Sequence, residues 1–169
     1  EHLAEIFLQL QEQGANNINL VTPTHFLPQI VIALEQAKQQ GLHLPIVYNT
    51  GSYESPEALR HLEGLVDIYL PDLKYFSPEL STAYSHAPDY FETACAAISE
   101  MYRQVGDPVI DEDTGLMQRG IIVRHLLLPG QTKDSKKILR YLHETYGDHI
   151  YISIMNQYTP LPQEIGRAH

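Results

Sequence analysis

Asp72 and Lys74 stand two residues apart in the run Val66-Asp67-Ile68-Tyr69-Leu70-Pro71-Asp72-Leu73-Lys74 and are the side chains best placed for chemistry. Alternation along an extended chain puts both on one side. A carboxylate and an ammonium at the mouth of a strand can hold a zwitterion, the acid taking its amine and the lysine its carboxylate. The same pair can instead close the strand end as a local salt bridge. Arg124 and His125 form a second candidate inside the apolar run Gly120-Ile121-Ile122-Val123-Arg124-His125-Leu126-Leu127-Leu128-Pro129. Charge in the middle of such a strand must be paired or face a cavity. Arg124 alternates with Ile122 and Leu126 and reads either as a ligand clamp or as the partner of a core carboxylate. His125 points the other way and reads as a hydrogen-bonded histidine between sheet and helix.

The remaining candidates are weaker one by one. Thr22, Thr24 and His25 offer hydroxyl and imidazole groups, although Thr24 could equally cap the helix that follows. Asn49, Thr50, Gly51 and Tyr53 form a loop whose glycine permits close backbone approach. Asn156, Gln157 and Tyr158 bring amides and a phenol. Together these groups predict a pocket for a polar small molecule. The side chains of Asn49, Asp72, Lys74 and Arg124 are expected to converge on one cavity.

The elements that must position these groups follow from the apolar pattern. Five short apolar runs, near residues 17–22, 45–49, 66–70, 120–128 and 150–155, end in polar residues and are separated by helical segments. Such alternation implies a parallel sheet covered by helices, with ligands gathered at the carboxyl ends of the strands. Helices are expected over residues 2–13, 26–40, 89–105 and 134–146, and another opens at Ser55-Pro56-Glu57, with serine as cap and proline in the first turn. Residues 76–88 read as an extra loop, and a hairpin turns at Asp113-Thr114-Gly115 between Pro108-Val109-Ile110 and Leu116-Met117. The array is expected to run as five parallel strands in chain order, as part of a barrel with helices outside.

Length and charge set the bounds. A chain of 169 residues reads as a single domain that buries about 70% of its unfolded surface. A net charge of −10 argues against a generic nucleic-acid or anionic-membrane binder. No window approaches a membrane span, no signal-peptide pattern opens the chain, and cytoplasm is the default location. The single cysteine, Cys95, rules out an internal disulfide and reads as a small buried residue of a helix. The nine histidines are scattered, with His61, His86, His143 and His169 expected at the surface, so no zinc site is expected. There is no dinucleotide fingerprint, no Walker loop and no nucleophile elbow. The chain opens inside a helix with no strand before it and stops at residues 161–166 without completing an element, so both ends are expected to be cut from a larger protein.

With these residues in view, the chain resembles the radical S-adenosylmethionine (SAM) enzymes, in particular the pyruvate formate-lyase activating enzyme and an uncharacterised branch of its relatives. The likeness extends over essentially all of the chain. It rests on Asn17-Ile18-Asn19-Leu20-Val21-Thr22-Pro23-Thr24-His25, Tyr48-Asn49-Thr50-Gly51, Tyr69-Leu70-Pro71-Asp72-Leu73-Lys74-Tyr75, Met101-Tyr102-Arg103-Gln104-Val105-Gly106, Val123-Arg124-His125-Leu126-Leu127-Leu128-Pro129-Gly130 and Met155-Asn156-Gln157-Tyr158. The resemblance implies a partial (β/α) barrel and a SAM site to which Asp72, Lys74 and Arg124 contribute, with Asn49 at a SAM-contacting position. Thr22 and Asn156 complete the implied set. Thr22-Pro23-Thr24 stands where many relatives carry Gly-Gly-Glu, a departure at the usual contact to the SAM amine.

The resemblance also implies a [4Fe–4S] cluster held by C-x3-C-x2-C, and one helical cysteine cannot supply three thiolates. Those ligands are not in this chain and would lie N-terminal to Glu1. For the intact protein it implies reductive cleavage of SAM to a 5′-deoxyadenosyl radical that abstracts hydrogen. An electron donor, and a glycyl radical protein or a small molecule as substrate, would be its partners. Asp72, Lys74 and Arg124 would then position SAM rather than move protons. The chain alone is expected to hold no cluster, cleave no SAM and bind SAM no tighter than roughly millimolar. Two other readings stand beside this one. Lys74 could serve as the Schiff-base nucleophile of an aldolase-like barrel, although Asp72 beside it would favour the charged amine. The chain could also be a non-catalytic scaffold that binds a partner on its sheet edge.

Overall fold

The computed structural model describes residues 2–156. Its elements are α1 (His2–Glu12), β1 (Ile18–Val21), α2 (Leu27–Gln39), β2 (Ile46–Thr50), α3 (Pro56–Arg60), β3 (Ile68–Pro71), α4 (Pro78–Ser85), α5 (Tyr90–Val105), β4 (Val109–Ile110), β5 (Met117–Leu126), α6 (Thr132–Tyr146) and β6 (Tyr151–Met155). The fold is α/β. Five strands, β1, β2, β3, β5 and β6, pair in parallel in the order in which the chain makes them. The short β4 pairs antiparallel with β5 and makes the expected hairpin, with Val109 opposite Arg119 and Ile110 opposite Met117.

The period of two along each strand divides the sheet into a helix-covered face and an opposite face. Ile18, Leu20, Ile46, Tyr48, Tyr69, Ile121 and Val123 point to the helices and join Phe7, Leu34, Leu59, Ile98, Met101, Ile138 and Leu142 in one core. Removal of this much apolar surface from water is the main stabilising contribution. The other face carries Asn19, Val21, Asn49, Leu70, Ile122, Arg124 and Leu126, none of them fully buried, with Val21 still 66% exposed.

The helices begin where local chemistry allows. Ser55 accepts from the Ala58 amide at 3.2 Å and so caps α3 as its Ser-Pro-Glu sequence predicts. Residues 76–88, expected as loop, instead contain α4. Ser77-Pro78-Glu79 repeats the signal of α3, and Ser77 accepts from the Leu80 amide at 3.3 Å. Thr24 does not cap α2, whose N-cap is Phe26; it lies in a one-turn 3-10 helix, Thr24–Phe26, with its hydroxyl turned to Glu54. Cys95, expected buried, is half-buried. Among the described residues no helix is long and apolar enough to cross a membrane.

Gly120 fixes the base of the hairpin. Its φ of +135° is open to glycine, and a Cβ there would lie 2.9 Å from the Cα of Pro108. Only a residue without a side chain lets residues 106–108 pass this close to β5.

Candidate functional site

The carboxyl ends of β2, β3 and β5 meet at Arg124. Its Nε donates to Asp72 Oδ1 at 2.8 Å and its Nη2 to Asn49 Oδ1 at 2.8 Å. The guanidinium therefore joins three neighbouring strands. The backbone supports the same junction: Asp72 N donates to Thr50 O and Leu73 N to Arg124 O, each at 2.9 Å. The Arg124 and Asp72 side chains are 28% and 19% exposed, so the pair is only partly desolvated and faces the open side of the sheet. Arg124 thus pairs with a carboxylate, although Asp72 is partly exposed and not the core acid that one of its two sequence readings named, and its Nη1 makes no hydrogen bond among the described residues.

Asp72 does not close on Lys74. Among the described residues no carboxylate lies within 4.0 Å of the Lys74 ammonium, so the local salt bridge is not formed. Lys74 Nζ instead sits 3.7 Å from where a Cβ on Gly51 would be, which brings the ends of β2 and β3 together. Of the four side chains expected to converge, Asp72, Lys74 and Arg124 line one cavity of about 260 Å³ with Tyr75, Leu126, Leu128 and Met155, whereas Asn49 is outside its lining and joins the group through Arg124. The cavity lining therefore combines an acid, an amine and a guanidinium with apolar groups.

Thr22 and Asn156 stand apart from this cluster. Thr22 is exposed with a φ of +50°, and its amide donates to Asn49 O at 3.0 Å, so backbone rather than side chain links it to the junction. Asn156 is exposed after β6. His25 is exposed as well. Gln157, Tyr158 and His169 lie outside the described residues, while His61, His86 and His143 are at the surface as expected.

Residues not singled out in the sequence hold the loops in place. Tyr90 of α5 is the first. Its hydroxyl accepts from the Lys74 amide at 3.1 Å and donates its one proton toward Gly51 O and Asp72 O, both at 3.0 Å. Burial pushes this phenol well above its usual range, so it keeps the proton it donates. Glu54 is the second. It is 6% exposed, and Thr24, Tyr48 and Thr50 all donate hydroxyls to it, Tyr48 at 2.8 Å and Thr50 at 3.0 Å. Burial, reinforced by this carboxylate, pushes the Tyr48 hydroxyl up as well. Three hydroxyls satisfy the buried acid without a cation and tie the loop after β1 to the loop after β2.

His125 and the start of α6 secure the other flank. His125 is 1% exposed, with Nδ1 2.7 Å from Leu73 O and Nε2 2.9 Å from Ser135 Oγ. A carbonyl only accepts, so Nδ1 carries the proton and Nε2 accepts from the serine. Asp134 accepts from the Phe76 and Ser77 amides at 2.8 and 2.9 Å. The segment that bears Lys74 is therefore pinned by α5, β5 and α6. In sequence Asp134 reads only as the acid of a helix first turn and Tyr90 as a helix residue; their partners lie 16 to 58 residues away along the chain.

No group of three histidine, cysteine or carboxylate side chains could hold an ion among the described residues, and burial raises the Cys95 thiol above its usual range.

No protein-family model matches the chain. In sequence it is similar to an uncharacterised protein of Methanocaldococcus jannaschii, 26% identical over 149 residues, a match covering 86% of this chain and 38% of that protein. The chain thus spans well under half the length of this relative. In structure it is similar to a crystallised domain of pyruvate-formate lyase-activating enzyme from Bacteroides vulgatus, with a TM-score of 0.62, 16% identity and 91% of each chain covered. This likeness shows the fold, a parallel α/β sheet with helices packed on it.

Proposed function

We propose that this chain is the SAM-binding core of a radical SAM enzyme of the glycyl-radical-activating type. The observation that carries the reading is the cavity itself: Asp72, Lys74 and Arg124 converge at the carboxyl edge of a parallel sheet and share the lining with Leu126, Leu128 and Met155. SAM ends in an amino acid and carries an adenosyl group, so it needs both kinds of surface. In this reading Lys74 meets the carboxylate, Asp72 the amine, and Arg124 holds Asp72 and Asn49 at the spacing that makes this grip. The aliphatic side chains of the lining exclude water from the sulfonium side. Thr22 and Asn156 would contact the ligand from the neighbouring strand ends.

A [4Fe–4S] cluster held by residues outside this chain would supply the electron for reductive cleavage of SAM. The described residues do not fit such a cluster, since Cys95 alone cannot ligate it. The reading therefore requires cluster ligands, an electron donor and a substrate beyond this chain. The fraction of its Methanocaldococcus relative that the chain spans, 38%, accords with that requirement.

The test is an NMR titration of the chain with SAM. Shifted amides are expected at Asn49, Gly51, Asp72, Lys74 and Arg124, with a dissociation constant of roughly millimolar that Lys74→Ala raises several-fold. Shifts elsewhere, or none at about 10 mM SAM, would remove the reading.

One observation keeps the Schiff-base reading alongside it. Asp72 is committed to Arg124, so the acid expected to neutralise Lys74 does not do so. Borohydride reduction with a small aldehyde, followed by mass mapping, decides between them: adduct confined to Lys74 favours the aldolase-like chemistry.

A further inference from the structure

A cluster of exposed cations lies outside the candidate site, on α6. Of the 11 lysines and arginines in a chain of net charge −10, four fall within residues 133–140. Lys133, Lys136, Lys137 and Arg140 are all exposed. At helical spacing they share one face, within an arc of about 100°. We infer that this face of α6 docks an acidic segment of a partner protein.

The helix does not need these cations for itself. They are like-charge neighbours at spacings of three and four residues, which destabilise a helix. The three lysines also occupy the first two turns, the end where the macrodipole disfavours positive charge. Nor are they neutralised within the molecule: among the described residues no carboxylate lies within 4.0 Å of any of the four. Asp134, the acid nearest in sequence, is buried and spends both oxygens on the Phe76 and Ser77 amides. Glu144 ends the stripe one turn beyond Arg140 without pairing with it. An external anion would complete what the helix leaves open.

The surroundings favour a compact acidic segment over a long polyanion. The patch is local, and the Debye length of about 8 Å under physiological salt confines its attraction to what touches α6. A nucleic acid or a membrane plane would also meet the acidic remainder of the chain. The edge of the surface is defined as well. Lys137 Nζ lies 5.1 Å over the ring of Phe76, which lines a groove of about 280 Å³ with Pro78, Pro88 and Phe91. Asp89 and Glu92 also line that groove, so an acidic partner is attracted to α6 and repelled from the groove. This surface borders the segment that carries Lys74 but does not enter the cavity, and the inference stands apart from the reading of that cavity.

The test uses a fluorescein-labelled peptide of about twelve alternating Glu and Asp residues, followed by anisotropy at about 50 mM and about 300 mM salt. Binding is expected at low salt and lost at high salt. Each of two double reversals, Lys133→Glu with Lys137→Glu and Lys136→Glu with Arg140→Glu, should weaken it by about tenfold or more. Each reversal turns the two i,i+3 pairs, 133/136 and 137/140, into opposite charges and leaves the i,i+4 pairs like-charged as before, so circular dichroism should show both variants folded. Lys38→Glu on α2 should change binding less than about twofold. The inference fails if the peptide does not bind, if the reversals leave binding unchanged, or if Lys38→Glu weakens it equally. It also fails if single-stranded DNA of matched charge, or vesicles containing phosphatidylglycerol, bind this face more tightly than the peptide.

Discussion

Tyr90→Phe removes one oxygen and tests whether tertiary hydrogen bonds set the position of Lys74. Tyr90 is 3% exposed; its ring stacks on Tyr53 and meets Tyr75 edge to face, contacts that phenylalanine keeps, so the cavity contribution is small. What is lost is the acceptor for the Lys74 amide and the donor shared by the Gly51 and Asp72 carbonyls. Two hydrogen bonds at about 1 kcal/mol each, plus part of the cost of an unsatisfied amide, give about 2–3 kcal/mol. For a chain of this size that corresponds to a fall of about 4–10 °C in melting temperature. Urea unfolding followed by circular dichroism measures it. Tyr84→Phe is the control, because Tyr84 is 48% exposed and stacks on Tyr75, and it should cost less than about 0.5 kcal/mol. A Tyr90→Phe loss no larger than the control's would refute the argument. An intact Lys74 and Gly51 amide environment in the variant's NMR spectrum would refute it equally.

Gly120→Ala forces a Cβ to within 2.9 Å of Pro108 at a φ of +135° and should cost about 2–4 kcal/mol in denaturant unfolding. A double-mutant cycle on Asp72→Ala and Arg124→Met should give a coupling of about 1–2 kcal/mol at low salt, since the pair is bonded at 2.8 Å but only partly buried; a coupling near zero would mean that the junction does not order the strand ends. The pH dependence of stability should carry the mark of Glu100, which Arg103 holds down at about 2 from an ordinary 4.5. The unfolded chain then takes up this proton first on acidification, so the contribution is complete above about 4.5 and lost as pH falls toward 2. Melting curves of the chain and of Glu100→Gln should therefore converge over that window, and parallel curves would count against the assignment.

Periodicity and punctuation alone determined most of the architecture. Strand–helix alternation required a parallel sheet, and the residues flanking Asp113-Thr114-Gly115 required a hairpin, because both signals are local and strong. The opposite orientations of Arg124 and His125 also followed from the period of two. The same local logic was available for α4, whose Ser77-Pro78-Glu79 start duplicates that of α3, and only its position in a long interval between strands obscured it. The partners of the charges were a different matter. That Asp72 gives its carboxylate to Arg124 rather than to Lys74 depends on β3 and β5 being neighbours, 52 residues apart in sequence. Glu54 looks like any loop acid until Thr24, Tyr48 and Thr50 close around it, and Tyr90 like any helix residue until its hydroxyl reaches two strand ends. Short-range pattern specifies which elements form and which face each side chain takes; hydrogen-bond partnership is decided by which strand ends and helix termini packing brings within 3 Å.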